Sequence, residues 1–154
     1  EKKFIAEGYG VNRRFVMHND YIVVGPAEDP AKIKGMKVST EAFKKIAGAG
    51  ALFLSRGDNS GTHSKEKAIW KVSGIKPEGQ KWYQETGLGM GQTLNVTSEK
   101  KGYTLADRGT YLSQKKRLAL TTATITRTQE AIVIAHLERA FGRALALADT
   151  FGTP

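Results

Sequence analysis

The sequence predicts an α/β protein in which a mixed sheet is flanked by helices. Short runs rich in Val, Ile and aromatic residues alternate with amphipathic stretches of helical period. Gly and Pro pairs punctuate these runs. One apolar run, Leu52-Phe53-Leu54, leads through a polar loop directly into a helix start. The 154 residues suit one domain of ordinary size, and 40% hydrophobic with 25% charged residues is the composition of a chain that buries a core.

Taken in order, Phe15–Met17 and Tyr21–Gly25 read as strands because they concentrate β-branched and aromatic residues. Gly25-Pro26, Asp29-Pro30 and Lys34-Gly35 mark a loop. A helix begins at Ser39-Thr40-Glu41 and runs to about Ala47, with Phe43 and Ile46-Ala47 on one face. Ala51–Leu54 is a short buried strand, Ser55–Gly61 a loop, and Thr62–Ser73 a helix closed by Gly74. Pro77 suits the first turn of a further helix through Trp82 and Tyr83. Gln92–Lys100 reads as helix, Tyr103–Leu105 as strand and Ala106–Ser113 as a short helix. The last stretch reads strand Leu118–Thr126, helix Gln129–Phe141 and strand Ala144–Thr150. Trp70, Trp82 and Tyr83 have the amphipathic spacing of core residues.

Composition excludes several chemistries. With no Cys, disulfides, iron–sulfur clusters and thiol catalysis are ruled out. Three His (His18, His63, His136) argue against a His-rich metal site, so neither a metal nor a cofactor is expected. No apolar run approaches the ~20 residues of a membrane span. Glu1-Lys2-Lys3-Phe4 lacks the apolar core of a signal peptide, which leaves the compartment open. A formal charge of +9 favours an anionic partner: nucleic acid, a membrane surface or a small anion. That charge is uneven. All sixteen Lys precede Leu118, whereas residues 119–154 carry three basic and three acidic residues and are rich in Ala and Thr. The shift predicts a boundary there, dividing residues 1–117 from a strand–helix–strand tail at 118–154.

The segment most able to carry chemistry is Ser55-Arg56-Gly57-Asp58-Asn59-Ser60-Gly61-Thr62-His63. A helix start exposes N–H groups without intrahelical partners at the positive end of the helix dipole, and so attracts anions. Ser60 and Thr62 add hydroxyls, and Gly61 lets the backbone approach a ligand. Arg56 supplies a planar fork of charged donors suited to oxyanions. Asp58 would orient Arg56 or cap the loop, since a carboxylate facing an anion repels it. His63, one residue on, reads as a helix-face residue touching the rim. A plainer alternative also stands: a Ser/Thr helix cap beside a surface Arg and Asp.

This loop resembles the signature loop of the periplasmic tungstate-binding proteins of ABC transporters, and its Arg-x-Asp-x-Ser-Gly-Thr spacing is similar to the oxyanion loop of phosphate-binding proteins. Further segments agree with the tungstate family: Ala6–Arg14, His18-Asn19-Asp20-Tyr21, Val24-Gly25-Pro26 with Asp29-Pro30, Trp82–Gly87 with Gly89-Met90-Gly91, and Tyr103–Tyr111. The likeness covers roughly residues 1–117. It implies a type II periplasmic binding protein, two α/β lobes with the ligand between them, of which this stretch is the second lobe and hinge. By the same resemblance Arg56, Ser60, Gly61 and Thr62 contact a tetrahedral oxyanion, tungstate or molybdate, with Ser55, Asp58 and His63 behind them. The family's first lobe opens on a Thr/Ser-rich turn. No such lobe precedes Glu1, but Leu118–Thr126 resembles that turn, which implies a permuted or incomplete two-lobe protein and assigns Thr121 and Thr122 to the ligand. An ordinary strand rich in β-branched residues is the alternative for these threonines.

The resemblance thus implies a solute-binding protein rather than an enzyme. It would sit in the periplasm or at the cell surface and deliver its oxyanion to an ABC permease. The rival reading, a basic nucleic-acid-binding module, rests on net charge alone, and salt dependence would separate the two. An enzyme acting on a phosphorylated substrate would need a general base, and none is evident. Gly87–Gly91 lacks the Gly-Lys-Ser/Thr of a phosphate loop and reads as a tight turn or hinge. Lys44-Lys45 and Lys115-Lys116-Arg117 read as solvated faces, and Asp107–Arg108 as a hinge or surface ion pair.

Overall fold

The computed structural model describes the backbone of residues 2–136 and the side chains of residues 3–11 and 20–124. The chain divides into two compact units, residues 1–18 with 130–154 and residues 19–129. In the first, helix α1 (Lys2–Ala6) leads to Gly10, and the rings of Phe4 and Tyr9 lie 5.7 Å apart. The second unit holds the core and the candidate site.

Strand β1 (Val11–Pro26) is longer than the two pieces expected from sequence, because polar residues 18–20 continue the extended backbone between them. Its alternation divides the core. Tyr21 and Val23 pack into one apolar cluster, and Ile22 and Val24 into a second. A period of two sends successive side chains to opposite faces, so both faces of this sheet are covered. Strand β4 (Thr104–Asp107) pairs antiparallel with β1, setting Val23 opposite Leu105 and Ile22 opposite Ala106. Strand β5 (Leu120–His136) lies on the other side of β1, giving the order β4-β1-β5.

Strand β2 (Phe53–Ser55) pairs parallel with β3 (Tyr83–Glu85) in a second, two-stranded sheet. An isolated parallel bridge between Phe53 and Tyr103 links β2 to the approach of β4. Parallel neighbours need crossover connections. Helix α3 (Gly61–Val72) connects β2 to β3, and α4 (Met90–Glu99) connects β3 to β4. The mixed α/β architecture expected from sequence is therefore present.

Helix α2 (Ser39–Gly48) buries Ala42, Phe43 and Ile46, the face its spacing predicts. These side chains meet an aromatic cluster from three other segments. The Phe43 and Trp70 rings lie 4.4 Å apart, Phe43 and Phe53 5.3 Å, and Phe53 meets Trp70 edge-on at 5.2 Å. On the opposite face α4 contributes Met90 and Leu94, and α5 (Arg108–Gln114) contributes Tyr111. A 3-10 turn at Lys115–Arg117 leads into β5. Gly25 could not carry a larger residue: an added Cβ would stand 2.3 Å from the buried Tyr103 ring.

Three expectations are corrected. Pro77 starts no helix; Gln80 N–H donates to Pro77 C=O, and Gly79 takes φ +81°, so the segment closes as a turn and releases Tyr83 into β3. The helix expected from Gln129 does not begin there, since residues 129–136 continue β5, where Ile132, Val133 and Ile134 favour extended backbone. The rest of that expected helix and the strand at 144–150 lie outside the described residues. Arg108 does not pair with Asp107; its Nη1 lies 3.8 Å from Asp20, while Asp107 caps α5 by accepting the Thr110 N–H. Among the described residues, no helix is long and apolar enough to cross a membrane.

The aromatic cluster sets a stability test remote from the candidate loop. Phe43→Ala should cost about 3–5 kcal/mol, since a buried ring is lost and its neighbours cannot fully collapse. Urea unfolding checks this, and a loss below about 1 kcal/mol would show that Phe43 is not a core anchor.

Candidate functional site

The loop between β2 and α3 is fixed at both ends. Phe53 and Leu54 are buried and hold β2 against β3. Ser60 caps α3 with extended backbone, and its Oγ accepts the His63 N–H at 3.3 Å. Between them Gly57 takes φ +62° and Asn59 φ +58°. Gly57 has a second constraint, because an added Cβ would lie 2.8 Å from the Glu85 side chain.

Charges inside the loop are arranged in sequence. Arg56 Nη2 donates to Asp58 Oδ2, and Ser60 N–H donates to Asp58 Oδ1 at 3.2 Å. Burial works against the Asp58 charge. Hydrogen bonds from the Ser60 hydroxyl and N–H, with the Arg56 guanidinium, outweigh it and hold the carboxyl below its ordinary range. Asp58 therefore ties Arg56 to Ser60. Arg56 is 17% exposed, and its Nε is buried without a hydrogen-bond partner. A buried guanidinium donor left unmatched is costly, so the loop keeps unused capacity for an acceptor. The N–H groups of Gly61 and Thr62 belong to the first helical turn, which has no partners of its own. Gly61 is exposed and Thr62 is buried. Ser60 thus caps the helix with a lone pair while Asp58 ties it to Arg56.

Beneath the loop, α3 shows a second polar layer. Its buried stripe is Thr62, His63, Glu66, Ile69 and Trp70, the spacing of a core-facing helix with a polar first half. His63 does not touch the rim as expected. It is 3% exposed, and its Nδ1 accepts the Asn59 N–H at 3.0 Å, so the imidazole pins the loop from below. Its Nε2 is buried without a hydrogen-bond partner, 3.8 Å from Glu85 Oε1. Ser55 is fully buried; its Oγ donates to Glu66 Oε2 at 2.8 Å and accepts the Gly57 N–H at 3.3 Å. Glu66 Oε1 accepts from Tyr83 Oη at 2.8 Å and from Trp70 Nε1 at 3.1 Å. Burial pushes the Glu66 carboxyl up to about 7, against the pull of its hydrogen bonds from Ser55, Tyr83 and Trp70.

Sequence reasoning missed Glu66, Tyr83 and Thr86 as supports of the loop. Thr86 donates its N–H to Ser55 C=O at 2.9 Å and its hydroxyl to the same oxygen at 3.1 Å. One signal for Glu66 was present: an acid three residues after His63 and four before Trp70 falls on the apolar stripe of α3. Thr121 and Thr122 lie elsewhere in the fold. Both are on β5, half-buried, and Thr122 lines a groove of about 1020 Å³ with residues 34–40. None of residues 55–63 lines that groove.

Comparisons with known proteins place the chain in a family. A family model described as a PBP superfamily domain matches residues 1–141. The tungstate-binding protein TupA of Peptoclostridium acidaminophilum is 50% identical over 122 residues, which cover 78% of this chain and 42% of that protein. The TupA of Campylobacter jejuni subsp. jejuni is 45% identical over 112 residues, covering 73% and 41%. The crystal structure of the tungstate ABC transporter from Geobacter sulfurreducens superposes with a TM-score of 0.76 at 41% identity, covering 99% of this chain and 68% of that one. The chain spans about two-fifths of the length of these two curated relatives.

The raised Glu66 carboxyl makes stability depend on pH with a definite sign. Its folded value of about 7 exceeds the ordinary 4.5, so the fold binds this proton more tightly than the unfolded chain does. That stabilisation is full below about pH 4.5 and is lost as pH rises through about 7. Relative to Glu66→Gln, wild type should lose roughly 3 kcal/mol across this window. Urea titrations of both proteins at several pH values check this, and parallel profiles would refute it.

Proposed function

The chain belongs to the PBP superfamily, within the family of the tungstate-binding proteins of ABC transporters, and on that basis we propose that residues 55–62 capture a tetrahedral oxyanion. Tungstate is the first candidate ligand and molybdate the second. The anion would then pass to an ABC permease, and the protein would work outside the cytoplasmic membrane. The observation that carries the reading is Arg56, held by Asp58 beside Ser60 at the start of α3, with its Nε buried and unpartnered.

The chemistry is recognition without bond making. Arg56 offsets the ligand charge, and donors at Ser60, Gly61 and Thr62 replace part of its hydration shell. Asp58 keeps these donors aimed. Both Asp58 oxygens already accept hydrogen bonds from the loop. The site is thus rich in donors, the pattern suited to a fully deprotonated oxyanion. Residues 1–117 are proposed to supply the oxyanion-binding lobe, and Thr121 and Thr122, on a strand of the same compact unit, to reach the ligand from the tail at 118–154. Exclusion of water there would strengthen every polar contact.

Calorimetric titration of the chain with tungstate, molybdate, sulfate and phosphate tests the proposal. Tungstate and molybdate should give saturable heat that changes little with salt. Arg56→Ala should weaken binding by at least about tenfold, the scale of a lost charge-assisted hydrogen bond. Absence of heat with every oxyanion from folded protein would count against capture by this chain, and unchanged affinity in Arg56→Ala would remove that residue from the site.

A further inference from the structure

Gly61 opens α3, and its φ is not in the left-handed region that favours glycine. An added Cβ there would meet, outside its own helix turn and among the described residues, a single atom within 4 Å. That atom is the Tyr21 hydroxyl oxygen at 3.7 Å, an ordinary van der Waals contact. Neither backbone nor packing therefore calls for glycine at 61, and helices favour alanine over it. Gly57 differs on both counts, with φ +62° and the Glu85 side chain 2.8 Å from an added Cβ. The side of Gly61 where a methyl would stand is thus open and bordered by one phenol.

Tyr21 reaches that place from another element. It lies on β1, is 6% exposed, and packs its ring into the apolar cluster with Val23, Phe53 and Leu105. Ring packing fixes where the hydroxyl stands, beside the exposed Gly61. Resting on the oxyanion reading above, we infer that Tyr21 is a further ligand-contacting residue, whose hydroxyl donates to the oxyanion where the anion lies over Gly61.

The chemistry suits the position. A phenol donates one hydrogen bond and turns about its C–O bond. It can therefore redirect that donor to an arriving anion, which is a stronger acceptor than a neutral group. The other candidate donors, Arg56, Ser60, Gly61 and Thr62, all belong to one loop and the helix turn it enters. A tetrahedral guest has more oxygens than one segment can face, and Tyr21 brings a donor from β1 to the same helix start. The missing Cβ matters for the same reason. It lets the anion approach the first-turn N–H groups, which have no intrahelical partners, and the phenol together.

Calorimetric titration with tungstate, paired with urea unfolding, tests this in two variants. Tyr21→Phe keeps the ring and removes only the hydroxyl. It should weaken tungstate binding by about tenfold, the effect of one hydrogen bond to a charged group, with the urea midpoint unchanged. Gly61→Ala should weaken binding at least as much while stability is kept or raised, because the fold has room for the methyl. Wild-type affinity in either variant overturns the inference: the hydroxyl is then a bystander in the first case, and no anion lies over Gly61 in the second. Weakened binding by Tyr21→Phe accompanied by a matching loss of stability overturns it too, since the hydroxyl would then be holding the fold. Gly61→Ala decides the matter should Tyr21→Phe fail to fold. Variants that match a tungstate-binding wild type leave the oxyanion reading standing, whereas wild type that binds no oxyanion removes that reading and this inference with it.

Discussion

A strand can deliver a polar loop to a helix start only if the loop's inward-facing groups find partners below the surface. Here one carboxyl meets that demand. Glu66 accepts from Tyr83 and Trp70 on one oxygen and from Ser55 on the other, joining β3, α3 and β2 at a single point. Three donors on one buried carboxyl form a network in which each bond depends on the others. Remove the carboxyl and Ser55, Tyr83 and Trp70 would each lose a partner in a place water does not reach. The aromatic cluster around Trp70 supplies the rigidity that keeps those donors in position.

Above that base, the loop solves a conflict of charge. A site for an anion must hold a guanidinium ready without letting it swing into solvent or leaving it wholly unpaired. Asp58 provides the compromise. It engages Nη2 and the Ser60 N–H, and leaves Nε of Arg56 without a partner. A neutral partner would hold Arg56 less firmly. A carboxylate placed against all of its donors would compete with the ligand. Pairing through Nη2 leaves Nε unmatched, at the energetic cost of one buried donor.

Much of this was legible in the sequence because local rules carry it. Ser60 before Gly61 and Thr62 marks a helix start, Asn59 and Gly57 suit a turn, and Arg56 with Asp58 two residues on can pair within the loop. The aromatic and β-branched residues of Tyr21–Gly25 mark a strand, and the structure shows it buried on both faces. What escaped was tertiary. Pro77 carries the same signal at a helix start as at a turn, and Gly79 decides between them through its positive φ. Gln129–His136 has residues able to form either element, and pairing beside β1 selects the strand. His63 looked like a rim residue because nothing local shows that Asn59 turns its N–H downward onto Nδ1. Glu66 was legible only as an acid on the apolar stripe of α3; the fold alone reveals the three donors converging on it.

These departures from ordinary packing are not scattered. Between Ser55 and Glu66 the structure holds a buried acid, an unmatched guanidinium nitrogen and an unmatched imidazole nitrogen. Elsewhere in this unit the core is apolar and aromatic, and its polar groups are largely paired within the backbone framework. A chain selected for stability alone would replace Glu66 with an apolar residue and remove Arg56 from its half-buried seat. Local rules broken together, within one loop and the helix turn beneath it, are what a binding site looks like when its cost is carried by the surrounding core. The aromatic cluster and the two-faced strand β1 are therefore more than a scaffold for this loop; they supply the stability that lets the loop keep its charges buried and its donors unspent.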